Sequence, residues 1–274
     1  MKLSASIVPS HPPSVQAFTV VELLAIAGVL IVLSGVILPA LAKSRPTSDL
    51  ITCQDQLRRI GRGFSLYSSD ASERLCPTAG LDQLVENTRP DKNYANRQQW
   101  CMGTMHSAPS WTNTALIQDS LLYPYVSSLA AYRCPADVSS TGSALAGVQT
   151  AKVRSVAVNC YLNPINPWST GRVYRKQGDM VLGPAMTWIA TEENPSSIND
   201  GWLIHPPALP QNPTWVDFPG SYHQQSGNLV FADDHVESHR WTDPVVLFYG
   251  RSSFGGQATG TDYRWLEERT TLPR

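Results

Sequence analysis

Between Phe18 and Ala42 the chain is apolar apart from one charged residue, Glu22. As a helix rising about 1.5 Å per residue, this run reaches roughly 37 Å, enough to cross a hydrocarbon core of about 30 Å. Val, Ile, Leu and Ala dominate it. Gly28, Ser34 and Gly35 are ordinary in membrane helices, and Pro39 is tolerated late in one with a kink. A cleaved secretory signal fits less well, because its apolar stretch spans only about 7–15 residues. A plain anchor explains the length and leaves Glu22 unexplained. An ionised side chain at mid-bilayer costs on the order of 3 kcal/mol, so the acid either snorkels to the headgroups or has a partner.

Phe18-Thr19-Val20-Val21-Glu22 at the head of the run, with Pro39 following, resembles the amino-terminal signature of type IV pilins and type II secretion pseudopilins. The resemblance implies a leader over 1–17, cut by a prepilin peptidase between Ala17 and Phe18, and N-methylation of Phe18. Ala17 stands where that family usually has Gly. It further implies a transmembrane and filament-core helix over 18–42 and an extracytoplasmic head over 43–274. The protein would then be single-pass in the inner membrane, with its head in the periplasm or on a filament. Glu22 lies one helical turn from the new terminus. In a filament its carboxylate can meet the terminal amine of a neighbouring pilin or pseudopilin subunit, and such a pair offsets its desolvation only when both partners are present.

The net charge is −1, so no nucleic-acid partner is indicated. Charged residues make up only 16 %, and the 21 prolines and 18 glycines point to a loop-rich head. The five cysteines are Cys53, Cys76, Cys101, Cys134 and Cys160. None has C-x-x-C spacing, which argues against a cysteine zinc site or a thioredoxin-like centre. An extracytoplasmic head permits disulfides, and the odd count leaves at least one thiol unpaired within the chain, with Cys53 the candidate.

Leu50, Cys53, Leu57, Ile60, Phe64 and Tyr67 recur at spacings of three and four, the stripe of an amphipathic helix. The membrane helix is thus expected to continue to about Ser69, with a break near 44–47 caused by Pro46. Strands are expected over Val153–Leu162, Met186–Thr191, Leu229–Ala232 and Val236–Trp241, and a long loop over Pro206–Pro219. The fold class is therefore α+β: a long N-terminal helix, membrane half plus amphipathic half, on a small antiparallel sheet.

Near the C-terminus, His223 and Asp233-Asp234-His235 form a His-x9-Asp pattern similar to the His-x9-Asp-Gly segment of a pilin-like group of planctomycetes and verrucomicrobia. Cys134-Pro135-Ala136-Asp137 and the tail from Tyr263 resemble that group too. Physically the segment reads as a hairpin whose tight turn needs φ > 0, with Asp234 where Gly is best suited. Turn chemistry alone accounts for the Asp pair. The same residues also offer a metal site at Asp233, Asp234 and His235, calcium suiting the carboxylates and zinc the imidazoles. Some secretion pseudopilins bind calcium in a C-terminal loop.

The expectation is a structural subunit of a pilus-like filament or secretion pseudopilus, not an enzyme. Two alternatives are a membrane-anchored metal-dependent enzyme and an anchored glycan- or protein-binding module. The latter would use Trp168, Trp202 and Trp215 as a platform, although such residues are more often core.

Overall fold

The computed structural model describes residues 19–80, 99–106, 109–138, 151–167, 171–207, 213–247 and 256–273, and within 35–47 the backbone alone. The leader, Ala17, Phe18 and Trp168 lie outside the described residues. Two compact units are present, Met1–Arg45 and Pro46–Arg274.

Helix α1 runs Val20–Asp70. The expected break near 44–47 is not seen, and the helical backbone continues through Pro46. A proline removes one helical hydrogen bond without having to end the helix. Among the described residues, however, no helix is long and apolar enough to cross a membrane. The apolar side chains described run only over 20–34, about 22 Å of helix against a core of about 30 Å. The membrane half of the expected stem, and with it the single-pass inner-membrane placement, is therefore not retained.

The start of α1 has a local explanation. Thr19 N–H and Oγ1–H donate to Glu22 Oε2 at 2.8 and 2.9 Å, and Glu22 N–H donates to Thr19 Oγ1 at 3.3 Å. This is a reciprocal capping box, which satisfies donors that the first helical turn leaves without partners. The backbone bond from Thr19, helped by its hydroxyl, holds the Glu22 carboxyl below its ordinary value.

In the second unit the striped face of α1 is its packing face. Cys53, Leu57, Ile60 and Phe64 are buried, while Arg59 and Arg62 are exposed. The face lies on a five-stranded sheet of order β3-β1-β2-β5-β6, with β1 Val156–Asn159, β2 Trp188–Glu192, β3 Trp202–Leu203, β5 Ser226–Phe231 and β6 Val236–Arg240. A separate two-stranded ribbon joins β4 Thr214–Trp215 to β7 Gly256–Gln257. The large sheet is mixed, not antiparallel as expected: β1 pairs parallel with β3 and antiparallel with β2. The pleat explains its cores. Val156 and Val158 join the cluster under α1, and Ala157 between them joins a second cluster on the opposite face. On β5, Val230 faces α1 while Leu229 and Phe231 face away. A strand covered on both faces reads as continuously apolar instead of alternating. The second cluster contains Trp188, Trp215, Trp241, Tyr263 and Leu266.

Helix and sheet approach closely where side chains are smallest. A Cβ on Gly61 would stand 2.6 Å from Val230 Cγ2. Ser65 Oγ donates to Asp234 Oδ1 at 3.1 Å, and Asp234, at φ 69°, makes the turn between β5 and β6.

Leu57→Ala, which empties the centre of this interface, is expected to destabilise the protein by about 2–5 kcal/mol in chemical denaturation. His205 gives a pH signature. It is fully buried between Trp215 and Tyr263, donates Nε2–H to Tyr263 O at 3.0 Å, and is pushed down by burial to about 3 from 6.5. The unfolded chain therefore binds the extra proton below pH 6.5. Stability contributed by the neutral imidazole is complete above that value and falls as pH drops, by about 1.4 kcal/mol per unit. Between pH 6.5 and about 5, where ordinary carboxyls have not yet titrated, His205→Phe should flatten this slope in denaturation curves.

Candidate metal centre

Four side chains with metal-ligating atoms converge beneath α1: Cys53, Cys134, Glu192 and His223. Their donor atoms all lie within 4.8 Å of one another. Each comes from a different part of the chain. Cys53 belongs to the packing face of α1. Cys134 follows a 3-10 turn, Leu129–Tyr132, and its N–H donates to Ser155 Oγ at 2.8 Å. Glu192 ends β2, and β1 pairs with that end through Val156. His223 sits in a turn closed by its bridge to Ser226, just where β5 begins. Gln224 and Gln225 in that turn have φ 53° and 69°. Left-handed backbone on non-glycine residues costs roughly 1–2 kcal/mol each, so the surrounding structure over-determines the position of His223.

The contacts are close. Cys53 Sγ–H donates to Glu192 Oε1 at 2.7 Å. His223 Nε2 lies 3.2 Å from Cys134 Sγ and 3.1 Å from Glu192 Oε1. The four residues are 1, 0, 0 and 8 % exposed in chain order. A layer of neighbours fixes the carboxylate. Asn228 donates its backbone N–H to Glu192 Oε2 and its Nδ2–H to Oε1, the latter at 2.9 Å. Asn228 Oδ1 in turn accepts from Ser238 Oγ–H, and Ser238 Oγ accepts from Gln54 Nε2–H at 2.9 Å.

The electrostatics follow from burial and contact. Burial pushes the Cys53 thiol well up, and Cys134 and the Glu192 charge add to the shift. Cys134 is shifted down by its bond with Cys53 and by His223, against burial. Burial pulls His223 down, but Cys134 and Glu192 outweigh it and hold the imidazole up at about 10. The group therefore gathers two sulfurs, an imidazole nitrogen and a carboxylate, and it can hold a metal ion.

The residues singled out from sequence fall elsewhere. Asp233 and His235 pair with each other through Oδ1 and Nδ1 in an exposed turn. His235 stacks on Phe231 with ring centroids 4.3 Å apart, and Asp234 is bound to Ser65 of α1. None of the three joins the donor group. All five cysteines are buried free thiols, and Cys53, the expected odd thiol, is one of the converging ligands. The expectation against a cysteine metal site could not anticipate this donor group, because C-x-x-C spacing detects ligands on one local turn and here the tertiary fold brings the donors together. The signal available in sequence was His223 itself, at the head of the His-x9-Asp pattern. Trp202 and Trp215 are core residues and form no platform. A further buried carboxyl, Glu193, is pushed well up by burial and then by Asp217 and Asp200.

No known family profile, curated protein or solved structure matches this chain.

Asn228→Ala removes one donor from a buried carboxylate and is expected to destabilise the protein by about 1–3 kcal/mol. His235→Ala, in the exposed turn, should stay within about 0.5 kcal/mol of the parent in the same denaturation assay.

Proposed function

We propose that this chain is a non-catalytic structural subunit, a pilin-like protein cut between Ala17 and Phe18 and packed against like subunits through the start of α1. The observation that carries the reading is the bare apolar surface of that segment. Val20 and Val21 are each 75 % exposed, and Ile31 is 73 % exposed, with Leu24, Val29 and Val32 close behind. A contiguous surface of this kind marks a place that another chain covers. A second copy of the same segment suits it, because Val, Ile and Leu faces carry no charge to repel. Glu22 supplies register. Its bonds to Thr19 leave the carboxylate with acceptor capacity for the terminal amine of Phe18 in a neighbouring subunit. Processing brings in a prepilin peptidase as partner, and the product is a filament of the type IV pilus or type II secretion class.

The metal group supports a non-catalytic role. A catalytic zinc keeps an open coordination position, whereas four buried protein donors make a closed set. An ion here is a fastener of the head. Of calcium and zinc, zinc is the better match, since calcium takes six to eight oxygen ligands and this group offers one carboxylate.

Mass spectrometry of the mature amino terminus is the direct test. The expected species begins at N-methylated Phe18, and a terminus at Met1 or Lys43 overturns the reading. Glu22→Ala should yield a folded head that fails to enter filaments, measured by the subunit content of sheared filament fractions. Normal incorporation would rule out the amine–carboxylate contact.

A further inference from the structure

We infer that Cys53 Sγ, Cys134 Sγ, the Glu192 carboxylate and His223 Nε2 bind a single zinc ion that clamps α1 to the sheet. Three independent observations converge on it. The first is the donor set. Two sulfurs, one imidazole nitrogen and one carboxylate oxygen are the complete complement of a structural tetrahedral zinc site. Bonds of about 2.0–2.3 Å place donors roughly 3.3–3.8 Å apart around such an ion. The shortest contacts here are 2.7, 3.1 and 3.2 Å, and all pairs lie within 4.8 Å, so shifts of about 1 Å or less complete the tetrahedron.

The second observation is burial. Glu192 is fully buried with two thiols and one imidazole around it. Removing a carboxylate from water costs several kcal/mol even after relaxation, and the cost is met only by charge pairing and hydrogen bonds of good geometry. Among the group's own members only His223 can bring a positive charge, and its Nε2 is shared between Glu192 and Cys134. A divalent ion pairs with all three acidic donors at once, cancels two of their three negative charges, and leaves the imidazole neutral, as a ligand must be.

The third is the supporting layer. Asn228 grips the carboxylate through two donors, and Ser238 and Gln54 anchor Asn228 in turn. Metal ligands are commonly held in this way, and loss of such a support typically weakens binding 10–100-fold. A surface cleft lined by Gln56, Leu129, Arg133, Cys134, Pro135 and Val153 reaches one ligand from outside.

The consequence is mechanical. Cys53 is the only one of the four on α1, and the other three belong to the sheet side, so the ion joins the helix to the head by bonds and not by packing alone. This inference rests on the structural reading only in calling the ion a fastener. Zinc binding is measured on the isolated full-length chain, so a failure of filament assembly leaves it intact, and a failure of zinc binding leaves the assembly claim intact.

The test is elemental analysis of the full chain, purified without a metal-affinity tag and dialysed against zinc chloride and then against excess calcium chloride. The expected result is one zinc per chain, retained in calcium, with Cys53→Ser and His223→Gln each at least about 10-fold weaker and an Asp233→Ala, His235→Ala double variant unchanged. Absence of stoichiometric zinc, displacement by calcium, or full zinc retention in both ligand variants overturns the proposal. Should the ligand variants fail to fold, cobalt(II) loading of the parent protein decides. Intense visible bands with a thiolate-to-metal charge-transfer band are expected, and a weak octahedral spectrum contradicts the site.

Discussion

A carboxylate at the end of a central strand organises this protein. Glu192 closes β2 at a point covered on every side, and an acid so placed must be met by donors from each element that packs on it. Those donors decide where the elements go. Cys53 fixes the rotation of α1, Asn228 fixes the first residues of β5, and the turn carrying His223 accepts left-handed backbone at two glutamines to bring its imidazole in. The close approach at Gly61 belongs to the same arrangement, since a helix held this near the sheet leaves no room for a Cβ over Val230.

The sheet carries this load because both of its faces are packed. Valines of β1 and β5 meet α1, while Ala157, Leu229 and Phe231 meet the aromatic layer supplied by the C-terminal part of the chain. Within that layer Trp241 donates to Gly220 O at 3.0 Å and Trp188 to Thr270 Oγ1 at 2.9 Å. Of the tryptophans that suggest a binding platform by composition, Trp202 and Trp215 are core residues, and Trp215 donates Nε1–H to Asp243 Oδ2 at 3.1 Å. Bare apolar surface is concentrated instead at the start of α1, outside this packed unit, and that contrast underlies the proposed assembly role.

Much of this was legible in sequence. The three-and-four spacing from Cys53 to Phe64 marks the packing face because burial on a helix repeats with the helical turn. The β5–β6 hairpin is visible because Asp234 must adopt a positive φ between the expected strands Leu229–Ala232 and Val236–Trp241, and it does. Other features were hidden for physical reasons. A parallel β1–β3 pair leaves no local signature, since its connection is long. The membrane expectation rested on the length of the apolar run from Phe18 to Ala42, whereas among the described residues no helix is long and apolar enough to cross a membrane. The role of Glu22 at the helix start is present in the sequence as Thr19-x-x-Glu22, a capping-box pattern. The metal group was hidden most deeply. Its members are separated by 139, 89 and 31 positions along the contacts that join them, so no spacing rule reaches them.

The central claim is that one ion holds helix and sheet together through sulfur, nitrogen and oxygen donors. X-ray absorption at the zinc edge, recorded on the full chain as purified, tests it most directly. The account predicts a four-coordinate first shell, two sulfur scatterers at about 2.3 Å and two lighter ones at about 2.0–2.1 Å. A shell of oxygen and nitrogen alone, or six-coordinate zinc, would contradict it.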